Sequence, residues 1–293
     1  MRIAPDELSF ARADAFNDIY SNALGRLAFP KSKTWHSGMP GRPLSVFVAL
    51  DPKVHSRFRR AMDPAFTEKS VRMQEPIIQH NVELFIAQLS KLASEDPAGA
   101  IVDIVQWFAF VAFDLVGDLA FGESFGSLEA SKIHPWISLI FSSIKAATYS
   151  VSLKYYPGLS WLMSIAVPKK VMKQMREHWE FSEDKIRRRL EHGQERPDMI
   201  SMIKRDEDGL KGITRPELSS TSALIIGAGS ETVVSVLSGI INYAIKSPNV
   251  LTALTREVRS SFDRESDMSL SALKDLPYLG AVVQEGLRLC NPV

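Results

Sequence analysis

The feature that most constrains this chain is an almost uncharged stretch at residues 220–244, in which Glu231 is the sole charged side chain. Apolar residues occupy nearly every side of the helix that this stretch would form. A helix that is apolar all round is expected to be buried, either in a protein core or in a membrane. We therefore predict a buried central helix over residues 215–246, with Pro216 in its first turn. A membrane span is the alternative.

Small residues interrupt this helix at Gly227, Ala228 and Gly229. Each glycine costs about 1 kcal/mol relative to alanine in a helix interior, so the glycines need a compensating role. A stretch without side chains lets a flat ligand or another backbone approach closely. Glu231 and Thr232 follow directly, and a carboxylate and a hydroxyl beside such a gap could relay protons to a bound oxygen species through ordered water.

Two other interpretations of this segment stay open. The small residues could serve only tight helix packing, with Glu231 at the surface or in a structural ion pair. They would also suit helix contacts within a lipid bilayer.

Apolar residues at three- and four-residue spacing recur along the rest of the chain, which predicts a mainly α-helical fold. The predicted helices span residues 74–94, 103–120, 133–150, 168–192, 215–246 and 277–289, with an amphipathic surface helix at 247–262. Residues 2–10 alternate around a Pro-Asp turn signal and predict a short hairpin. No linker-like composition separates two halves, so we expect residues 1–293 to belong to a single domain.

Charge and cysteine content exclude several classes of function. The 35 basic and 34 acidic residues nearly cancel, so no long-range field favours nucleic acid or an anionic membrane surface. The sole cysteine, Cys290, excludes an internal disulfide and a multi-cysteine zinc site, and we assign no metal ligand. The first residues lack an apolar anchor, and the sequence stops at Val293 directly after a helical pattern, which suggests a truncated chain.

Glu285 and Arg288 lie three residues apart on the last predicted helix and can therefore pair on one face. Apolar neighbours surround them, so we expect the pair to be partly buried: Val282, Val283, Leu287 and Leu289. The alternative is an ordinary exposed ion pair, which contributes little to stability.

A helix start at residues 51–52 places His55 and Arg59 four residues apart, on one helix face. Two such donors could bind a carboxylate or a phosphate through charge-assisted hydrogen bonds. The alternative is a solvated basic face that also includes Arg57 and Arg60.

In their order and spacing these motifs resemble the cytochrome P-450 family over almost the whole chain. Asp51-x-x-x-His55-x-x-x-Arg59-Arg60 is similar to the family's third helix, whose arginine pairs with a haem propionate. Residues 228–232, Ala-Gly-Ser-Glu-Thr, resemble the oxygen-activation motif of the long helix on the distal side of the haem.

The last predicted helix and two further stretches extend this resemblance. Residues 285–288, Glu-Gly-Leu-Arg, resemble the Glu-x-x-Arg pair that supports the haem-binding core. Residues 114–126 and 196–201 are similar to stretches common in filamentous-fungal members, many of which belong to secondary metabolism.

The resemblance implies an incomplete cytochrome P-450 fold, mainly α, with a long central helix, surrounding helices and a small N-terminal β hairpin. Haem, an iron protoporphyrin, would be the cofactor. The implied site residues are catalytic Glu231 and Thr232, cofactor-binding His55, Arg59, Ala228 and Gly229, and the structural pair Glu285 and Arg288.

The implied activity is hydroxylation of a small lipophilic substrate with dioxygen and with electrons from an NADPH-dependent reductase. Residues near 133–165 would form the roof of the substrate pocket. Full-length relatives are expected in the endoplasmic reticulum membrane, and this chain alone either in the cytoplasm or at a location that the sequence does not indicate.

Three departures from the family pattern limit this expectation. The glycine-rich loop with the cysteine thiolate is absent, and Cys290 does not stand at a ligand position. The N-terminal anchor and proline-rich segment are missing, and Val233 stands where many relatives carry a hydroxyl. Because the thiolate supplies the electron density for oxygen–oxygen cleavage, the alternative function is a catalytically incomplete, non-haem helical remnant of the family.

Overall fold

A computed structural model describes residues 1–21, 29–36, 38, 42–95, 99–137, 148–149, 151–152, 154–156, 158, 169–191, 193, 196–206 and 208–292. Two short antiparallel strands open the chain, β1 (Arg2–Ala4) and β2 (Glu7–Leu8), which confirms the predicted hairpin. The elements that follow are helical in the described ranges, so the mainly α-helical prediction is also confirmed.

Helices of very different lengths follow the hairpin along the chain. They are α1 (Ala13–Tyr20), α2 (Pro52–Met62), α3 (Glu68–Glu95), α4 (Ile104–Phe121), α5 (Ser127–Ala130), α6 (Lys169–Glu191), α7 (Met199–Met202), α8 (Arg215–Lys246), α9 (Pro248–Ser261), α10 (Leu270–Lys274) and α11 (Pro277–Leu289). Short 3-10 turns occupy Asp63–Phe66 and Glu265–Asp267. The helix predicted at 133–150 lies largely outside the described residues.

The helix starts follow from local sequence. Asp51 caps α2 by accepting hydrogen bonds from the backbone amides of Lys53 and Val54, at 2.7 and 3.4 Å. Thr214 and Glu217 form a reciprocal capping box at the start of α8. These side chains satisfy amides that a helix start would otherwise leave without partners.

The core lies where α8 packs against α4 and α6, and α3 also packs against α4. Its largest fully buried side chains include Phe58 of α2, Phe113 of α4, Ile186 of α6 and Ile226 of α8. We call α3, α4, α6, the first half of α8 and the segments packed against them the packed region.

The second half of α8 packs against α11 through Gly239 and Ile240, and α9 follows it directly in the chain. Its apolar side chains Tyr243 and Ile245 are 46% and 63% exposed. We call this half of α8, together with α9, α10 and α11, the open region.

The expectation that the central helix is buried on nearly every side is therefore wrong. Only 17% of its most apolar 18-residue stretch is buried, against 61% for α4. One face of α8 packs against other helices, and no described element covers the opposite face. By length and composition alone, α4 and α8 could each cross a membrane, but the core helices of globular proteins meet the same test.

Candidate functional site

The two faces of α8 have different roles at the predicted motif. Ile226, Ser230 and Val234 recur every four residues and are buried against the neighbouring helices. The Ser230 hydroxyl donates a hydrogen bond to the carbonyl oxygen of Ala112 on α4, at 3.4 Å. This face holds α8 in the packed region.

Ala228, Glu231 and Thr232 share the other face of α8, as their spacing requires. Ala228 and Glu231 are exposed and Thr232 is half-buried. The Thr232 hydroxyl donates a hydrogen bond of 2.7 Å to the carbonyl oxygen of Ala228, one turn earlier. The structure thus brings three of the predicted site residues together on one accessible surface.

Gly229 points away from that surface. A β-carbon at Gly229 would lie 3.5 Å from a methyl group of Val116 on α4, which is ordinary van der Waals contact. The structure therefore places Gly229 at the contact between α8 and α4, and Ala228 on the exposed face.

His55 and Arg59 form a basic cluster on α2 together with Lys31. Burial lowers the pKa of the half-buried His55, and the positive charges of Lys31 and Arg59 lower it further. The Lys31 ammonium group donates hydrogen bonds to the carbonyl oxygens of Val46 and Phe47, at 3.1 and 2.9 Å. Sequence reasoning missed Lys31, because no local pattern shows that it approaches α2.

Arg57 has a structural role that sequence reasoning also missed. It donates two hydrogen bonds to the Glu217 carboxylate, at 2.6 and 2.9 Å, and a third to the carbonyl oxygen of Gly212 at 2.6 Å. Both side chains of this pair are only 13% exposed. The interpretation of Arg57 as part of a solvated basic face is therefore wrong, and Arg57 instead ties α2 to the start of α8.

The Arg57–Glu217 contact shifts the pKa of both groups. The hydrogen bond to Glu217 is the main cause that raises the pKa of Arg57. Burial alone would raise the pKa of Glu217, but hydrogen bonds from Arg57 and Thr214 outweigh burial and lower it. The pair is therefore ionised at neutral pH.

Glu285 and Arg288 form the predicted pair, with two hydrogen bonds of 2.7 Å each. Their side chains are 54% and 66% exposed, so the expectation of partial burial is wrong. Gly286, where α11 crosses α8, is the sole buried residue of α11. The apolar neighbours Val283 and Leu287 are themselves exposed and do not enclose the pair.

Two glycines make this helix crossing possible. A β-carbon at Gly286 would lie 2.3 Å from the Ile240 side chain, and one at Gly239 would lie 2.2 Å from the Cys290 sulfur. Cys290 thus packs at the crossing as a small side chain. Gly239 lies about 16 Å along the axis of α8 from Ala228, so Cys290 is remote from the exposed motif.

The two stretches that resemble fungal sequences meet in the packed region. Arg189 pairs with Asp198 at 2.5 Å, with side chains 6% and 0% exposed. Arg196 pairs with Asp118 at 2.5 Å. Burial raises the pKa of Asp118, and Arg196 and Asn81 only partly oppose that effect. The resemblance identified these stretches, but their sequences did not indicate that they pair.

Gly122 ends α4 beside the first of these ion pairs. Its φ of +76° favours glycine, and a β-carbon there would lie 2.3 Å from the Arg189 side chain. Asp114, one helical turn before Asp118, accepts hydrogen bonds from the backbone amides of Ser127 and Leu128, at 3.0 and 2.8 Å. These contacts fix the chain reversal after α4.

An aromatic cluster follows in the same region. The rings of Trp136 and His178 are stacked, with centroids 4.8 Å apart. Burial is the main cause that lowers the pKa of His178 to about 4, and Arg42 adds to it. The residues near 133–165 that we expect to roof the pocket lie mostly outside the described residues.

Comparisons with known proteins identify relatives of this chain. The sequence model of a family described as Cytochrome P450 matches residues 18–293. The chain is 36% identical over 296 residues to cytochrome P450 monooxygenase lcsI of Purpureocillium lilacinum, and 37% identical over 295 residues to averantin hydroxylase of Dothistroma septosporum. Each alignment covers 100% of this chain, and 57% and 54% of the respective relative.

A solved structure supports the same relationship at the level of the fold. The mutant heme domain of cytochrome P450DA matches 83% of this chain with a TM-score of 0.69 and 15% sequence identity. This chain covers 52% of that domain. The chain thus spans little more than half the length of the relatives that it matches.

Proposed function

The chain belongs to the cytochrome P450 family, and we propose that it supplies the distal side of a haem-dependent monooxygenase. Proteins of this family use haem iron, take electrons from a reductase and bind lipophilic substrates, and fungal members are generally membrane-associated. The matched relatives include proteins named as monooxygenases and a hydroxylase from fungi. We propose hydroxylation of a small lipophilic substrate in secondary metabolism, with an NADPH-dependent reductase as electron donor.

The observation that carries this proposal is the accessible face of α8. Ala228, Glu231 and Thr232 lie together there, while the opposite face packs against α4. Ala228 has only a methyl side chain, so a flat ring can approach the helix backbone at this point. We propose that haem lies against this face.

The basic cluster on α2 supports the same cofactor. His55 and Arg59, with Lys31 beside them, present positive charge and hydrogen-bond donors of the kind that hold carboxylates. When bound, haem supplies the dioxygen and one-electron chemistry of hydroxylation. We propose that His55 and Arg59 hold its propionates.

The proposed chemical role of this chain's own residues is proton transfer. The Thr232 hydroxyl donates to the Ala228 carbonyl oxygen at 2.7 Å, so its own oxygen remains free to accept a hydrogen bond from water. The exposed Glu231 carboxylate, one residue earlier, can exchange protons with solvent. Thr232 would release its bond to Ala228, donate its hydroxyl proton toward the exposed side of α8, and regain a proton from solvent through Glu231.

The proposal is tested first with the carbon monoxide difference spectrum of the reduced chain after addition of haem. We expect haem to bind without the red-shifted band of thiolate ligation, because Cys290 packs against Gly239. A thiolate band would contradict our assignment of Cys290. A chain that binds no haem would favour the alternative function of a non-haem helical remnant.

The proton-transfer role is tested in a version of the protein completed to the length of its relatives. Thr232→Ala should consume reductant with little product, because the hydroxyl that passes the proton on is lost. Thr232→Ser keeps a hydroxyl and should restore most of the coupling. Unchanged coupling in Thr232→Ala would contradict the proton-transfer role.

A further inference from the structure

We propose that Lys31 is a third cofactor-binding residue, whose ammonium group holds a haem carboxylate beside His55 and Arg59. This inference rests on the proposed function. Lys31 lies outside the motif of α2, and its position becomes evident only from its contacts with the segment that precedes that helix.

The ammonium group of Lys31 is held in place by the backbone. Two of its three protons are donated to the carbonyl oxygens of Val46 and Phe47, at 3.1 and 2.9 Å. Within the part of the chain that the structure describes, no acceptor for the third proton is found. A half-buried ammonium group fixed in this way is already oriented for one further acceptor.

The charges around Lys31 indicate that this acceptor is an anion. The charged groups that perturb the half-buried His55 are both cations, Lys31 and Arg59. Like charges gathered at a partly buried site repel one another unless an anion lies between them. A carboxylate in this cluster would neutralise the repulsion and accept charge-assisted hydrogen bonds.

The carboxylates of haem suit a cluster of several basic groups. Haem carries two carboxylates on one edge of a flat ring, and three basic side chains are available to receive them. Lys31 also ties the segment at Val46 and Phe47 to this cluster. An alternative role for Lys31 is therefore to hold that segment in position without contacting the carboxylate. The experiment must therefore separate its charge from its bonds to the backbone.

The test compares the binding of metal-free protoporphyrin and of its dimethyl ester to the full chain, by porphyrin fluorescence. The two probes share a ring and differ only in their carboxylates. Lys31→Met should lower the ratio of diacid to ester affinity by about tenfold, the loss expected for one charge-assisted hydrogen bond. Lys31→Arg should restore the ratio, and Lys33→Met, at an exposed lysine nearby, should leave it unchanged.

The outcomes separate this inference from the proposed function. An unchanged ratio in Lys31→Met, with the diacid still bound, overturns the role of Lys31 and leaves the haem site standing. Equal weakening of both probes assigns Lys31 to the support of the segment alone and also overturns the inference. If the unsubstituted chain binds neither probe, the proposed haem site fails and the inference fails with it. Should Lys31→Met not fold, Lys31→Gln provides the same comparison.

Discussion

Two arginine–carboxylate pairs, one in the packed region and one in the open region, have similar bonds but different surroundings. Arg189 contacts Asp198 at 2.5 Å with side chains 6% and 0% exposed. Arg288 contacts Glu285 at 2.7 Å with side chains 66% and 54% exposed. Water screens the second pair, whereas the first has lost its hydration and depends on its partner. The burial of a pair, and not its bond length, therefore determines how much stability depends on it.

The largest expected effect comes from removing one partner of the buried pair. Arg189→Met should lower the free energy of unfolding by about 3 to 5 kcal/mol, because it leaves the Asp198 carboxylate buried without its partner. Chemical denaturation of the purified chain measures this loss. Arg187→Ala, at a half-exposed arginine of the same helix, is the control and should leave the midpoint unchanged. Equal effects of the two substitutions would remove the distinction between a buried and an exposed ion pair.

A pH titration should reveal burial in the packed region through His178. Its pKa is about 4 in the folded chain, below its ordinary value of 6.5. Between these values the unfolded chain binds more protons, so the free energy of unfolding falls as the pH falls from about 6.5 to 4, by about 3 kcal/mol in total.

His178→Phe is the control for this pH dependence. The substitution keeps a ring against Trp136 and removes the titrating group, so the loss of stability between these pH values should shrink. An unchanged pH dependence in His178→Phe would assign the effect to other groups.

A smaller effect is expected at the close crossing of α8 and α11. Gly239→Ala should destabilise the chain by about 1 to 3 kcal/mol, because the added methyl group would overlap the Cys290 side chain. A β-carbon added at Gly280 of α11 would have no described atom of another segment within 4 Å. Gly280→Ala should therefore be neutral or stabilise the chain by up to about 1 kcal/mol. Thermal unfolding of both variants distinguishes a packed crossing from an unoccupied helix surface.

The smallest effect is expected at the exposed pair. Glu285→Ala should leave the unfolding midpoint of this chain unchanged, because Glu285 and Arg288 are both open to water. A large loss of stability would show that the open region is covered in solution. In a version completed to the length of the relatives, loss of haem-loaded protein in the same variant would support the structural role that the family resemblance implies.

Local sequence predicted most helices because their signals act over a few residues. Pro52, Pro216 and Pro277 stand in the first turns of α2, α8 and α11, as predicted. The pairing of Glu285 with Arg288 followed from their spacing on one helix. Its burial could not follow from spacing, because burial depends on which elements cover α11.

In the candidate site, too, local spacing predicted some features and tertiary contacts decided the others. The sequence placed Glu231 and Thr232 directly after a gap at residues 227–229, and the structure shows which side of α8 each residue occupies: Ala228, Glu231 and Thr232 share the exposed face, and Gly229 lies at the contact with α4. Lys31 and the Arg57–Glu217 pair were missed, because their contacts join residues distant in the chain.

The sequence by itself determined the helical class of this protein, its helix starts and the motifs that resemble its family, because hydrophobic periodicity and helix caps are local properties of a chain. Only the tertiary structure decided which face of α8 is packed, which arginines are buried and where Cys290 lies. Those outcomes depend on contacts between distant segments, because the contribution of a charged group or a glycine to stability depends on the atoms that surround it.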